Sequence, residues 1–289
     1  MTYSNRKKLR KPLPKGRSYE QILHHYLVEK NIANKLKIAN RKDRIKIYAS
    51  MYEELFREVT DHPRLKQRSS SVLTTRANER KFMLIKDFLN KSSVFAEFAP
   101  GDCSFAMYVA KYVKYSYAID ISDQRANNIE NLSNFKLIIY DGYNLNEIKD
   151  ATIDVAFSDQ LIEHLHPEDV CLHFRLISRI LKPGGIYIFC TPHAFTGPHD
   201  ISQYFSDTPE GFHLKEWTYT ELNHIISKIR DFYFHPYVIK KRYAIKEMPD
   251  IYFLTMETIL SWLPKPYKKA FAARLFPSIY VAVNKKVIK

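Results

Sequence analysis

The stretch Ser92–Ser122, SSVFAEFAPGDCSFAMYVAKYVKYSYAIDIS, predicts a strand, a tight turn, a helix and a second strand. Val94–Phe98 is a short apolar run, and the Pro-Gly pair behind it breaks regular structure. Apolar residues recur at helical spacing over Ser104–Val113, and Tyr115–Ile121 is a second strand that carries Asp120 near its carboxyl end. A βαβ unit with a turn after its first strand and a carboxylate about 20 residues later is typical of a dinucleotide site.

Composition indicates a packed globular protein. The chain has 289 residues, of which 45% are hydrophobic and 14% aromatic, enough for one sizeable domain with appendages or for two small ones. Its three cysteines, Cys103, Cys171 and Cys190, lie far apart without metal-ligand spacing, which favours free thiols in a reducing compartment. The basic, polar N-terminus shows no secretory signal, and no apolar run is long enough to span a bilayer. We therefore expect a cytoplasmic protein without a membrane span.

The net charge of +14 is concentrated in the two ends of the chain. Residues 1–50 hold 14 Lys and Arg against 3 Asp and Glu, and residues 240–289 hold 11 against 3. Such flanks are able to contact phosphates, an anionic substrate or a membrane surface. Lysine-rich helices that are simply solvated explain the same pattern, and the sequence leaves both interpretations open.

The pattern divides the chain into three parts. Residues 1–17 contain no acid and several prolines, which predicts a disordered basic tail. Helical periodicity over 19–40, 43–60 and 75–90 predicts a helical extension, residues 18–90. Residues 91–289 then form the main domain, with a helical insertion at about 241–277.

Strands alternate with helices through the main domain. After the first two strands we predict a short helix at 123–131, then strands at 135–140, 153–158, 186–190, 232–240 and 278–285, with helices at 168–181 and 218–228. This alternation indicates an α/β fold with a doubly wound, mostly parallel seven-stranded sheet and helices on both faces.

Five segments, taken in order, carry a family resemblance. They are E-F-A-P-G (97–101), I-D-I-S (119–122), Y-D-G (140–142), I-D-V-A-F-S-D-Q-L-I-E-H-L (153–165) and L-K-P-G-G (181–185). Together they resemble the class I S-adenosylmethionine-dependent methyltransferases, and in particular the small-molecule branch, over roughly residues 80–240. The resemblance implies a Rossmann-like sheet with an antiparallel last strand, and S-adenosylmethionine as cofactor.

The resemblance also implies cofactor-binding roles. Asp120 would hold the ribose hydroxyls and Ile121 would pack on the adenine. Asp141 would accept a hydrogen bond from the adenine amino group, next to a close backbone approach at Gly142. Glu97 would order the turn and approach the methionine end. Each acid also has a structural explanation: a strand-end cap, an ordinary turn and an ion pair, respectively.

Two positions depart from the family pattern. Ala99 and Cys103 stand where the family has glycines, while Gly101 is retained. Ala99 and Gly101 would line the cofactor, and alanine is tolerated there if its backbone angles are ordinary. Asp159 and Gln160 sit where the family touches the cofactor or the acceptor.

Methyl transfer from a sulfonium mainly requires an aligned acceptor and the exclusion of water, with a general base only for an acceptor proton of high pKa. The pair Glu163–His164 offers a base, a metal pair or a helix-packing element. Some quinone-directed relatives have a further Glu where this chain has Gln160, so one metal ligand is lost. We therefore predict no metal.

The polar loop Thr191–Trp217 leaves the carboxyl end of the fifth strand, where open α/β sheets bind ligands. A His–Asp pair is able to orient an imidazole as a base, although the histidines could equally pin the loop. The loop has no H-x-x-x-H or C-x-x-C spacing to support a metal. We predict His164, His199 and Asp200 as catalytic residues, and His193, His213 and Glu216 as substrate-binding residues.

The predicted activity is methyl transfer from S-adenosylmethionine, with O-methylation of a small molecule or saccharide as the leading interpretation. RNA or protein methylation is the first alternative, with nucleic acid bound through the basic flanks. The second is a methyltransferase-fold protein that binds a partner without catalysis.

Overall fold

The computed structural model of the protein describes residues 8–68, 71–125, 132–239 and 245–287. The α-helices in these ranges are α1 (Tyr19–Ile38), α2 (Arg41–Glu58), α3 (Pro63–Arg68), α4 (Ser71–Ile85), α5 (Ser104–Ala110), α6 (Val170–Ile180), α7 (Tyr219–Ile226), α8 (Asp250–Ser261) and α9 (Lys265–Leu275). The strands are β1 (Val94–Phe98), β2 (Tyr115–Asp120), β3 (Phe135–Ile139), β4 (Ile153–Asp159), β5 (Leu181–Thr191), β6 (Phe232–Ile239), β7 (Ile245–Glu247) and β8 (Ile279–Lys285).

All of these strands join one sheet in the order β3-β2-β1-β4-β5-β8-β6-β7. The five strands from β3 to β5 are parallel, and β8 is antiparallel to both of its neighbours. The structure confirms the α/β, mostly parallel, doubly wound fold. The predicted count of seven strands is wrong by one, because the short β7 pairs antiparallel with β6 at the sheet edge.

Alternate residues of the central strands pack into two different cores. Phe95 and Phe157 join a cluster with residues of α4 and α5 on one face. Ala96 and Phe98 join a cluster with residues of α6, α7, α8 and α9 on the other. This period of two follows from the pleat of a strand, and helices on both faces bury the sheet.

The order in which the chain adds strands to the sheet changes direction at β1, which pairs with β2 on one side and with β4 on the other. Open α/β sheets bind ligands beyond the carboxyl ends of the strands at such a switch point. The fold therefore directs the segments after β1, β2 and β4 towards one common edge.

The N-terminal helices cover this edge. Ser18 and Gln21 form a capping box that starts α1. The helices α1 and α2 share a buried cluster with Phe212 and Leu214 of the loop after β5. The helices predicted at 19–40, 43–60 and 75–90 correspond to α1, α2 and α4, whereas α3 is unpredicted. Tertiary packing places the extension over the sheet edge.

Several local expectations are corrected. Residues 8–17 form neither helix nor strand, and hydrogen bonds from Arg10 and Lys11 connect them to the loop near Tyr204. Residues 1–7 of the predicted tail lie outside the described residues. Strand β5 begins at Leu181 rather than at 186 because the K-P-G-G segment continues the strand. The predicted helix at 123–131 falls mostly on 126–131, outside the described residues, and 123–125 form no regular element.

Helices α8 and α9 lie within the predicted helical insertion at about 241–277 and are preceded by the unpredicted β7. Residues 241–244 of the insertion lie outside the described residues. No helix in the described ranges combines the length and apolarity needed to cross a bilayer.

Candidate functional site

A cavity of about 530 Å³ lies at the carboxyl ends of the central strands. Helices α2 and α4 form its other wall. Its lining includes Tyr48, Met51, Tyr52, Arg64, Lys81, Ala99, Gly101, Asp120, Ile121, Gly142, Tyr143, Asp159, Gln160 and His164. Most of the predicted cofactor-binding residues are therefore brought together, with Glu97 and Asp141 lying behind the lining.

The turn after β1 has a left-handed backbone at three places. The φ angles are 54° at Ala99, 60° at Gly101 and 62° at Cys103. Glycine adopts such angles freely, whereas a residue with a Cβ atom pays about 1–2 kcal/mol. Alanine was expected to be tolerated at position 99 if its backbone angles were ordinary, and they are not. The turn is therefore strained at Ala99 and Cys103.

Asp120 ends β2 with both carboxylate oxygens turned to the backbone. Its Oδ1 accepts the N–H of Ile121 at 2.7 Å, and its Oδ2 accepts the N–H of Gly101 at 3.2 Å. Burial raises the pKa of Asp120 to about 6, although these backbone donors act in the opposite direction. The carboxylate therefore ties the end of β2 to the turn after β1 and remains on the cavity wall.

Glu97 is buried behind Lys81, a residue that no sequence pattern singled out. Lys81 Nζ, from α4, lies 3.8 Å from Glu97 Oε1 and 3.4 Å from Asp159 Oδ2. Glu97 Oε2 has no hydrogen-bond partner among the described residues. Burial raises the pKa of Glu97 to about 7 against the opposing charge of Lys81. The ion pair that the sequence left open for Glu97 is thus present.

Asp141 closes a turn instead of lining the cavity. Its Oδ1 accepts the N–H groups of Tyr143 at 2.8 Å and Asn144 at 2.6 Å, and its Oδ2 accepts the side-chain amide of Asn144 at 2.6 Å. The carboxylate of Asp141 therefore forms the hydrogen bonds of this turn, and its contact with an adenine amino group stays a prediction. Gly142, with φ of 87°, does line the cavity as predicted.

Beyond β4 the backbone turns sharply at Gln160, whose φ is 59°. Glu163 and His164 follow in a 3-10 turn. Glu163 is fully buried: Oε2 accepts the hydroxyl of Thr191 at 2.8 Å, and Oε1 has no partner in the described part of the chain. Burial raises the pKa of Glu163 to about 7. The expected packing role does not account for the unpartnered oxygen.

His164 lines the cavity with a fixed tautomer. Its Nδ1 lies 3.0 Å from the carbonyl oxygen of Phe212, so Nδ1 carries the hydrogen and Nε2 keeps its lone pair. Burial lowers the pKa of His164 well below its ordinary value, and the charge of His213 acts in the same direction. The imidazole is therefore neutral near pH 7.

A second cavity, of about 270 Å³, adjoins the first and shares Tyr52, Arg64 and His164 with it. Its lining is rich in titratable side chains, which include Arg17, His25, Glu29, His62, His199, Asp200 and His213. Two of the residues predicted as catalytic, His199 and Asp200, therefore lie beside this second cavity.

The predicted pairing of His199 with Asp200 is wrong. His199 Nδ1 lies 3.3 Å from Glu216 Oε2, while Asp200 caps a 3-10 turn by accepting the N–H of Ser202 at 3.0 Å. Adjacent residues on an extended chain point in opposite directions, which separates the two side chains. Asp200 Oδ2 also accepts the N–H of Gly211 at 2.9 Å, so this carboxylate holds the loop together.

Glu216 joins two of the predicted histidines. Its Oε1 lies 2.8 Å from His213 Nδ1, opposite the contact of Oε2 with His199. Burial alone would raise the pKa of Glu216, but the hydrogen bonds to His199 and His213 outweigh it and lower the pKa to about 2. Glu216 is therefore an anchor for two imidazoles, and His213 lines the second cavity while Glu216 stands behind it.

His193, predicted to bind substrate, lies in the core and does not contribute to the described lining of either cavity. It is fully buried, its Nε2 lies 2.8 Å from Glu257 Oε1, and its ring stacks on Phe276. The structure thus gives His193 the loop-pinning function that the sequence left as an alternative.

Comparison with known proteins gives one family match. Residues 96–189 match the family model described as a methyltransferase domain. No curated protein sequence matches this chain. The matched segment runs from β1 through β5 and includes the βαβ unit and the turn that carries His164.

Solved structures with this fold share little sequence with the chain. A Haemonchus contortus phosphoethanolamine N-methyltransferase, in complex with phosphoethanolamine and S-adenosylhomocysteine, has a TM-score of 0.53 at 11% identity and covers 86% of this chain and 49% of its own. A Haloferax volcanii methyltransferase solved in complex with the Trm112 activator has a TM-score of 0.51 at 13% identity, covering 75% and 95%. An Archaeoglobus fulgidus S-adenosylmethionine-dependent methyltransferase has a TM-score of 0.50 at 16% identity, covering 76% and 96%. At such identities the likeness shows the fold alone.

Proposed function

We propose that this protein, a class I S-adenosylmethionine-dependent methyltransferase, methylates a hydroxyl group of a polar small molecule or a saccharide. When bound, S-adenosylmethionine supplies an electrophilic methyl group on a sulfonium. The observation that carries the proposal is the second cavity, whose lining is rich in titratable side chains and which meets the first at His164.

The first cavity is the proposed donor site. Its volume of about 530 Å³ lies within the range of about 300–1,000 Å³ that holds small ligands. Asp120 is proposed to hold the ribose hydroxyls, since a carboxylate accepts two of them, and Ile121 is proposed to pack on the adenine. Gly101 and Gly142 let the ligand approach the backbone.

The second cavity is the proposed acceptor site. Its imidazole, guanidinium and carboxylate side chains are proposed to offer further hydrogen bonds to a hydroxyl-rich acceptor, beside those they already form within the protein. An apolar acceptor would displace water from these groups without replacing its hydrogen bonds, which costs about 1–3 kcal/mol for each unsatisfied group. The lining therefore favours a polyol or saccharide over an apolar acceptor.

The reaction requires the acceptor oxygen to meet the methyl group at the junction. The oxygen forms a bond to the methyl carbon as the carbon–sulfur bond of the donor breaks. The electron pair of the broken bond stays on sulfur, and the hydroxyl proton passes to water. His164 marks this junction because it lines both cavities.

The basic flank gives limited support to the RNA and protein alternatives. Arg17 is paired with Asp61 at 2.7 Å and Arg44 with Asp169 at 2.9 Å, and both arginines are buried. The Arg44 pair joins the helical extension to the main domain and the Arg17 pair lies within the N-terminal part of the chain, so neither charge is presented to a polyanion. RNA and protein are nevertheless included among the acceptors to be tested.

The test is transfer of a labelled methyl group from S-adenosylmethionine to separate sugar, polar-metabolite, RNA and protein fractions. We expect label in a sugar or polar-metabolite fraction, at an alkali-stable ether oxygen. His164→Gln should reduce transfer at least tenfold, whereas His224→Gln, at an exposed position of α7, should leave transfer unchanged. Label confined to RNA or protein, or no label from folded protein that binds S-adenosylhomocysteine, would overturn the proposal.

A further inference from the structure

Two buried clusters combine histidines with a carboxylate, and both adjoin the second cavity. One contains His25, Glu29 and His62, and the other Glu163, His164 and His213. In each cluster the residues offer ligand atoms that lie within 4.8 Å of one another. Their hydrogen bonds decide which cluster has lone pairs left for a cation.

The first cluster has its lone pairs occupied. His25 Nδ1 lies 2.9 Å from an Arg17 guanidinium nitrogen and accepts its hydrogen, while His25 Nε2 lies 2.7 Å from Glu29 Oε1 and donates. His62 Nδ1 accepts the N–H of Arg64 at 3.2 Å, so Nε2 carries the hydrogen in the neutral imidazole. Neither histidine offers a metal ion a lone pair, and the cluster is a hydrogen-bonded support for α1.

The second cluster has the opposite arrangement. His164 donates its Nδ1 hydrogen to the carbonyl of Phe212 at 3.0 Å, and His213 places its Nδ1 2.8 Å from Glu216 Oε1. In its neutral form each imidazole therefore carries its hydrogen on Nδ1 and keeps the Nε2 lone pair. The buried Glu163 Oε1 has no hydrogen-bond partner among the described residues. Three unused ligand atoms thus belong to one cluster.

We propose that Glu163, His164 and His213 bind a divalent metal ion, with zinc as the best match. Two imidazoles and one carboxylate form a set that holds catalytic zinc and leaves a coordination position open. Histidines that ligate metals usually donate their other ring hydrogen to a carboxylate or a carbonyl, which is the arrangement at both residues. Magnesium is disfavoured because it prefers oxygen ligands and retains its water.

The position of the site gives the ion a use, and this step rests on the proposed function. His164 lines both cavities, and His213 lines the second, so the open coordination position is available to an acceptor hydroxyl at the junction. A metal ion lowers the pKa of a coordinated hydroxyl and thus eases loss of its proton. His164 would then act as a ligand and the hydroxyl proton would pass to water, so that a separate protein base is not required.

The experiment uses the full chain after chelator treatment and dialysis, titrated with zinc chloride by calorimetry and checked by elemental analysis. We expect about one bound zinc per chain in the wild type, binding at least tenfold weaker in Glu163→Gln and His213→Gln, and unchanged stoichiometry in the matched control His62→Gln from the first cluster. Glu163→Gln keeps the shape of the side chain, and circular dichroism confirms that each variant is folded.

A measurement on the wild type alone guards against variants that fail to fold. Cobalt(II) bound by two imidazoles and a carboxylate gives visible absorption bands that zinc addition removes. Three outcomes would each overturn the proposed metal site. They are the absence of stoichiometric zinc in the folded wild type, retained zinc binding in folded His213→Gln, and loss of zinc binding in His62→Gln. Zinc binding without methylation of any hydroxyl would contradict the proposed function alone. If the zinc-free protein methylates the acceptor at the full rate, the ion has no part in catalysis.

Discussion

Asp120→Asn should weaken cofactor binding sharply, because the substitution removes a charge and leaves the side-chain shape intact. Hydrogen bonds to a charged group contribute about 1.5–3 kcal/mol each. Loss of one or two of them to ribose hydroxyls amounts to about 2–4 kcal/mol, which is a decrease of about 30- to 700-fold in affinity. The new amide also faces the N–H groups of Ile121 and Gly101, which now donate to the carboxylate at 2.7 and 3.2 Å. Some loss of stability should therefore accompany the change.

The assay is calorimetric titration with S-adenosylhomocysteine, with Asp123→Asn as the matched control. Asp123 follows β2 by three residues, is partly exposed and is not among the residues that line the first cavity. Its substitution should change affinity less than about twofold, as is usual for exposed groups. An Asp120→Asn protein that is folded and binds within about threefold of the wild type would refute the assignment.

The same carboxylate predicts a pH dependence. Burial raises the pKa of Asp120 to about 6. At pH 5 only about a tenth of the carboxyl groups would be ionised, so affinity should fall about tenfold from its value at pH 8. Because the folded-state pKa lies above the unfolded value of 3.8, the carboxyl's contribution to stability falls as pH rises from about 4 to about 6. Asp120→Asn should flatten the pH profiles of affinity and of stability. An unchanged pH dependence in that variant would show that another group is responsible for it.

Two further substitutions test the strain and the charges of the donor cavity. Ala99→Gly should raise the free energy of unfolding by about 0.5–1 kcal/mol, because relief of the left-handed backbone exceeds the entropic cost of glycine. In urea unfolding the matched Ala96→Gly, in the buried strand β1, should instead lower it by about 1 kcal/mol, and a destabilised Ala99→Gly would show that the turn is not strained. Lys81→Met leaves Glu97 without its neighbouring cation and should lower the free energy of unfolding by about 2 kcal/mol at pH 8. This is less than the loss of about 3–5 kcal/mol when one partner of a fully buried ion pair is removed. Since the pKa of Glu97 is raised to about 7, the carboxyl is protonated at lower pH, and thermal melts at about pH 5.5 should show a smaller loss. An equal loss at both pH values would indicate that Lys81 stabilises the fold by packing alone.

The sequence was informative wherever the signal is local. The strand and helix periods of the main domain follow from burial of successive residues, which is why β1, α5 and β2 form where predicted. The βαβ unit also fixes the position of Asp120, because a parallel neighbour directs the ends of both strands to one edge. Short features without such a period were missed, including the three-residue β7.

The polar loop shows where sequence reasoning stops. His199 and Asp200 are neighbours in the chain, which suggested a pair, but an extended backbone separates their side chains and brings Glu216 to His199 instead. His193 received a substrate role from its place in the same loop, yet packing against α8 and α9 buries it. Proximity in sequence was a poor guide to proximity of side chains.

Length, composition and ordered motifs thus determined the fold and the turn that carries Ala99, and the motifs carry the family resemblance that implies the methyl donor, since each is a property of a continuous segment. Tertiary structure alone decided what the donor site and its neighbour contain. It placed Lys81 of the helical extension between Glu97 and Asp159, and it brought His213 to Glu163 and His164. These contacts join segments far apart in the chain. Their geometry depends on how helices and loops pack over the sheet edge, which no local pattern of residues encodes.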